Sequence, residues 1–77
     1  MKILGIDPGL GITGYGLIEA NGNNVRLIEA GIIRSNPKDR MEKRLANIYK
    51  KLFNLIEDTL PDAVVLEELY SHYKHPK

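Results

Sequence analysis

The apolar run Ile3-Leu4-Gly5-Ile6 ends in Asp7 and is cut off at once by Pro8-Gly9. Proline lacks a backbone donor and glycine opens a tight corner, so a short buried strand must stop there and turn. An acid at such a corner is either a turn-former, capping the Pro-Gly bend with its own side chain, or a ligand held out at a strand end. Gly9, Gly11, Gly14 and Gly16 follow. They predict a turn leading into a second strand, about Ile12 to Ala20, stripped of side chains where its backbone passes Asp7.

Asn21-Gly22-Asn23-Asn24 is a hairpin signal, because Asn and Gly tolerate the positive φ that tight hairpin turns demand. A third strand is expected over Val25 to Ser35, with Val25, Leu27 and Glu29 on one face and Ile28, Ala30 and Ile32 on the other. Asn36-Pro37-Lys38-Asp39 breaks the pattern, and Asp39 with Glu42 has capping-box spacing for a helix start. Met41, Leu45, Ile48, Leu52 and Leu55 then form one apolar stripe on a helix running to about Asp58, stopped by Thr59-Leu60-Pro61. The run Ala63-Val64-Val65-Leu66 is β-branched and does not alternate, which predicts a central strand covered on both faces.

This order of elements predicts an α/β fold: a three-stranded antiparallel meander, a crossover helix, and a last strand parallel to the first and beside it. Asp7 and Glu67 would then stand at the same ends of neighbouring strands, which lie about 4.8 Å apart. Carboxylates that close repel one another unless a cation sits between them, and a divalent magnesium or manganese ion prefers such hard oxygen ligands. Strand alternation lets only one of Glu67 and Glu68 share a face with Asp7, and leaves open which.

A chain of 77 residues, 43% hydrophobic and 27% charged, allows at most one small domain. The absence of cysteine excludes a disulfide framework and a Cys-based zinc site, and fits a cytoplasmic protein. Neither a signal peptide nor a bilayer-spanning run is present in the sequence. A net charge of +1 means that any nucleic-acid surface must rest on local clusters. Lys38, Arg40, Lys43, Arg44, Lys50 and Lys51 fall on or just before the helix, as a solvated polar face or a phosphate-facing one. The tail Tyr70-Ser71-His72-Tyr73-Lys74-His75-Pro76-Lys77 interleaves aromatic and basic groups, a composition suited to stacking on bases and neutralising phosphates, or to a polar terminus. His72 and His75 would share a helical face, but a hard-oxygen site has no use for them. The glycines also admit a phosphate cradle of the kind found in sugar kinases and actin-like ATPases, which would need a longer chain with a second phosphate loop.

The run Ile3 to Gly9 with Thr13-Gly14-Tyr15-Gly16 resembles the N-terminus of RuvC-type Holliday junction resolvases, and Val65-Leu66-Glu67-Glu68-Leu69-Tyr70 resembles that family's second acidic motif. The similarity covers essentially the whole chain, the basic helix included. It implies a ribonuclease H-like fold and a homodimeric, structure-selective endonuclease that cuts four-way DNA junctions in recombination and repair, alongside a branch-migration helicase complex. The implied reaction is phosphodiester hydrolysis with two Mg2+ or Mn2+ ions held by four carboxylates. Asp7 matches the first of these and Glu67 the second, as catalytic metal ligands. Tyr70 matches an aromatic at the rim of the active site, and with Lys74 would be DNA-binding. The resemblance further implies that residues 1–77 are the N-terminal part of a single nuclease domain. Two more acids would follow Lys77, and the chain alone would be inactive, its sheet exposing one apolar face and prone to self-association. The alternative is a non-catalytic module, either ribonuclease H-like or of the actin-like ATPase type.

Overall fold

The computed structural model describes residues 1–67. Strands β1 (Lys2–Asp7), β2 (Ile12–Asn21) and β3 (Asn24–Arg34) form the meander, α1 (Met41–Thr59) crosses back, and β4 (Ala63–Leu66) follows. The sheet order is β3-β2-β1-β4, with β4 parallel to β1 and the other pairs antiparallel. Gly22 takes the left-handed conformation in the hairpin, φ +59°, as the Asn-Gly signal requires.

Alternation along the strands sorts the residues onto two faces. Leu4 and Ile6 of β1 share one face with their register partners Leu17 and Tyr15 of β2, and Leu52, Leu55 and Ile56 of α1 pack there. This is the core, with Leu4, Ile6 and Leu17 at 0%, 4% and 3% exposure. Burying each such side chain contributes about 1.5–3 kcal/mol. The opposite face carries Ile3, Gly5 and Asp7 of β1, and among the described residues nothing covers it, so that Ile12, Ile32 and Val65 are exposed.

Three expectations need correction, for the Asp39 cap, the faces of β3 and the place of β4. Asp39 does not cap the helix: Asn36 forms the turn instead, its Oδ1 accepting from the Lys38 N–H at 3.0 Å and its carbonyl from the Asp39 N–H at 3.0 Å. That turn delays the helix to Met41, whose N-cap Arg40 makes no side-chain capping bond, and Asp39 lies 3.9 Å from Lys43 Nζ. The stripe on α1 reaches the core only through its C-terminal half, since Met41 and Leu45 are exposed. On β3 the register shifts so that Leu17 faces Glu29 while Ile18 faces Leu27. The extra residue, Ile28, reverses the alternation and puts Val25 and Leu27 on the face of Ala30 and Ile32, opposite Glu29. Finally, β4 is an edge strand among the described residues, with Val64, Val65 and Leu66 at 44%, 54% and 65% exposure. Val65 lies on the bare face, and Val64 and Leu66, on the helix side, stay uncovered because α1 packs on the side chains of β1 and β2 and meets β3 rather than β4.

The helix ends where Thr59-Leu60-Pro61 was expected to end it. Leu60 adopts φ 48° and ψ 59° and donates its N–H to the Ile56 carbonyl, a left-handed cap more usual for glycine.

Candidate metal centre at the strand ends

Asp7 is the last residue of β1, and Glu67 directly follows β4. Ile6 and Leu66 are the last register pair, and the Glu67 N–H donates to the Ile6 carbonyl at 2.9 Å, carrying the ladder one step further. At the other end, Asp62 clamps the pair: its Oδ2 accepts from the Lys2 N–H at 2.7 Å and its own N–H donates to the Lys2 carbonyl at 2.8 Å. A slip by one residue would send every side chain of β4 to the other face, so this clamp decides which acid neighbours Asp7. It is Glu67. Both acids are exposed and, by alternation, share the face away from α1.

The turn after Asp7 is held by another residue. Thr13, 1% exposed, accepts a hydrogen bond from the Gly9 N–H at 3.2 Å and donates its own hydroxyl to the Gly9 carbonyl at 2.8 Å. Glycine is required at position 9 by space, since a Cβ there would meet the Ile12 carbonyl oxygen at 2.3 Å. Among the described residues the Asp7 carboxylate accepts no hydrogen bond, so capping the bend is the work of Thr13. Thr13→Val keeps the shape and leaves both polar groups of Gly9 unsatisfied, an expected loss of about 1–3 kcal/mol in urea denaturation. Unchanged stability would show that water replaces the hydroxyl there.

Around Asp7 the open face is nearly bare. Gly5 pairs with Gly16 and Asp7 with Gly14, and these residues with Ala30 and Ile32 line a shallow, open hollow. Asp7 thus stands at the rim of a smooth patch that a backbone or a bulky anion can approach closely. Two carboxylates with open water-facing positions suit a small hard cation that keeps several waters, as Mg2+ does. Among the described residues no group of three His, Cys, Asp or Glu converges anywhere.

The basic cluster divides. Arg40 and Lys43 lie near Glu42 and Asp39, at 3.5 Å and 3.9 Å, as an ordinary solvated face would have them. Arg44 turns inward, its Nε donating to Ser35 Oγ at 3.0 Å. Sequence reasoning passed over Thr13 and Ser35; a Thr four residues beyond Gly9 and a Ser at a strand end were the only available signals. Tyr70 and Lys74, like Glu68, His72 and His75, lie outside the described residues. No helix among the described residues is long and apolar enough to cross a membrane.

A family model described as crossover junction endodeoxyribonuclease RuvC matches residues 3–76. A Petrotoga mobilis protein of that name is 50% identical over 70 residues, covering 91% of this chain and 43% of its own length. Another, from Thermosipho melanesiensis, is 44% identical over 77 residues, covering all of this chain and 48% of its own length. Among solved structures, T. thermophilus RuvC in complex with Holliday junction substrate matches with a TM-score of 0.81 and 26% identity, over 90% of this chain and 44% of that one. The chain therefore spans less than half the length of the relatives it matches. Together with the observed sheet order, the likeness identifies a ribonuclease H-like fold.

Proposed function

This chain belongs to the RuvC family of crossover junction endodeoxyribonucleases, and we propose that it supplies half of the carboxylate metal site of a nuclease that cuts four-way DNA junctions. The observation that carries this reading is the division of labour at the first turn: Thr13 caps it, so that among the described residues the Asp7 carboxylate, beside Glu67, accepts no hydrogen bond. Asp7 and Glu67 would hold Mg2+ or Mn2+, two ions in the complete site, with two further carboxylates coming from beyond Lys77. When bound, such ions supply Lewis-acid activation and charge neutralisation for phosphodiester hydrolysis. The chain's own part is positional. The parallel register sets the two acids side by side, and the glycine patch admits a sugar–phosphate backbone to them. Tyr70 and Lys74 would contact the junction. The complete protein would act as a homodimer with a branch-migration helicase, in the cytoplasm.

Titrating the chain with Mn2+ while recording NMR spectra tests the site directly. Broadening is expected first at Asp7, Glu67 and Gly14, with weak affinity, on the order of millimolar for so few protein ligands. Broadening confined to other residues would overturn the assignment. Shifts of the Gly9 to Gly16 amides on adding a nucleotide, with Asp7 and Glu67 untouched by Mn2+, would favour the phosphate-cradle reading.

A further inference from the structure

The turn between β1 and β2 is held on two sides. Thr13 secures its inner half. Its outer half is held from β3 and α1: the Ser35 N–H donates to the Gly11 carbonyl at 3.1 Å, the Ser35 hydroxyl donates to the Leu10 carbonyl, and Arg44 Nε donates to that hydroxyl at 3.0 Å. We propose that Arg44, acting through Ser35, is a positioning residue that fixes the Pro8–Gly11 turn and with it the direction of the Asp7 carboxylate.

The chemistry of the chain of donors supports this. An arginine side chain carries only donors, so the Ser35 oxygen must accept from it and its single proton must go elsewhere. The Leu10 carbonyl is where that proton goes. Arg44 therefore sets the hydroxyl's orientation as well as its place, and a charged donor strengthens the bond that follows. The Arg44 end of this contact is partly buried, and among the described residues Arg44 has no carboxylate partner. Ser35 lies just past β3 and Arg44 in the first turns of α1. One relay thus ties the site to two elements besides the strands that bear the acids. None of its members touches the acids.

This inference rests on the metal-ligand reading of Asp7, so two readouts are needed. The first uses the metal-free chain: amide hydrogen exchange at Gly9 and at position 35, compared among wild type, Ser35→Ala, Ser35→Thr and Arg44→Ala. Both alanine variants should speed exchange there about tenfold or more while amides of Leu4 and Leu17 keep their protection, and Ser35→Thr should restore it. The second is Mn2+ affinity by NMR titration, expected to fall about tenfold in Ser35→Ala, the lower end of what lost outer hydrogen bonds cost a metal site, and to recover in Ser35→Thr. Unchanged exchange in both alanine variants overturns the relay whatever the metal does. Faster exchange with unchanged Mn2+ affinity overturns the link to Asp7. Uniformly faster exchange, core included, overturns it too, by showing a general structural role. If wild type binds no Mn2+ at Asp7 and Glu67, the metal reading fails, and the link to a ligand falls with it while exchange still reports on the turn.

Discussion

Asp7→Asn is expected to lower junction cleavage at least 10²–10³-fold, roughly the loss seen when one group aimed at developing charge is removed, and to leave junction binding intact. Residues 1–67 can be placed in the Petrotoga mobilis relative in exchange for its matching segment, which gives a protein long enough to assay. Asn keeps the size of Asp and removes its charge, and with it most of the affinity for a hard divalent cation. Because the Asp7 carboxylate accepts no hydrogen bond among the described residues, thermal stability should not fall. Binding should hold or tighten, since an anion facing the DNA is lost and no phosphate contact is. Measured together, cleavage, gel-shift affinity and melting temperature separate the cases. Loss of binding along with cleavage, or a marked drop in melting temperature, would make Asp7 a structural residue and sink the metal assignment.

The largest effect on stability is expected at Leu4. It is 0% exposed at the middle of β1, against Leu17, Ile6 and the C-terminal half of α1. Leu4→Ala removes that burial and leaves a cavity, with an expected cost of about 2–5 kcal/mol. A domain of this size holds a total near the low end of about 5–15 kcal/mol, so much of the population would unfold. Leu45→Ala is the control: Leu45 belongs to the same stripe by spacing but is 54% exposed, and its loss should stay within about 1 kcal/mol. Equal losses at the two positions, measured by urea denaturation, would mean that α1 sits differently on the sheet.

Those two leucines also show how far the sequence could be read. Strand order and the parallel pairing of β4 with β1 were legible, because each follows from a turn signal plus the short reach of a connection, whereas alternation left open which of Glu67 and Glu68 faces with Asp7, and only the resemblance named Glu67. Leu45 does share the stripe with Ile48 and Leu52, but period alone gives the direction of a helical stripe and not how much sheet lies beneath it. Val64 and Val65 were read as central for a related reason: an apolar strand reports that it needs cover, and not which residues provide it. The Asp39 cap failed because Asn36 competes for the same backbone three residues earlier. Val25 and Leu27 changed sides because one inserted residue, Ile28, is invisible to an alternation count. The roles of Ser35 and Arg44 depend on hydrogen bonds between elements, which no local pattern encodes, whereas that of Thr13 is local, to Gly9 four residues before it.

The bare patch beside Asp7 sets access against stiffness. Where Gly5 faces Gly16 and Asp7 faces Gly14, the sheet forgoes cross-strand side-chain pairs that elsewhere contribute about 0.2–1 kcal/mol each. At those steps β1 and β2 are joined on the open side by backbone alone. At those steps the strands themselves gain their rigidity from behind, through Leu4, Ile6 and Leu17 packed under α1. A substitution in that core would reach Asp7 mechanically. It would loosen the packing beneath the acid even where the hydrogen bonds of Thr13 and Ser35 still hold the turn beyond it.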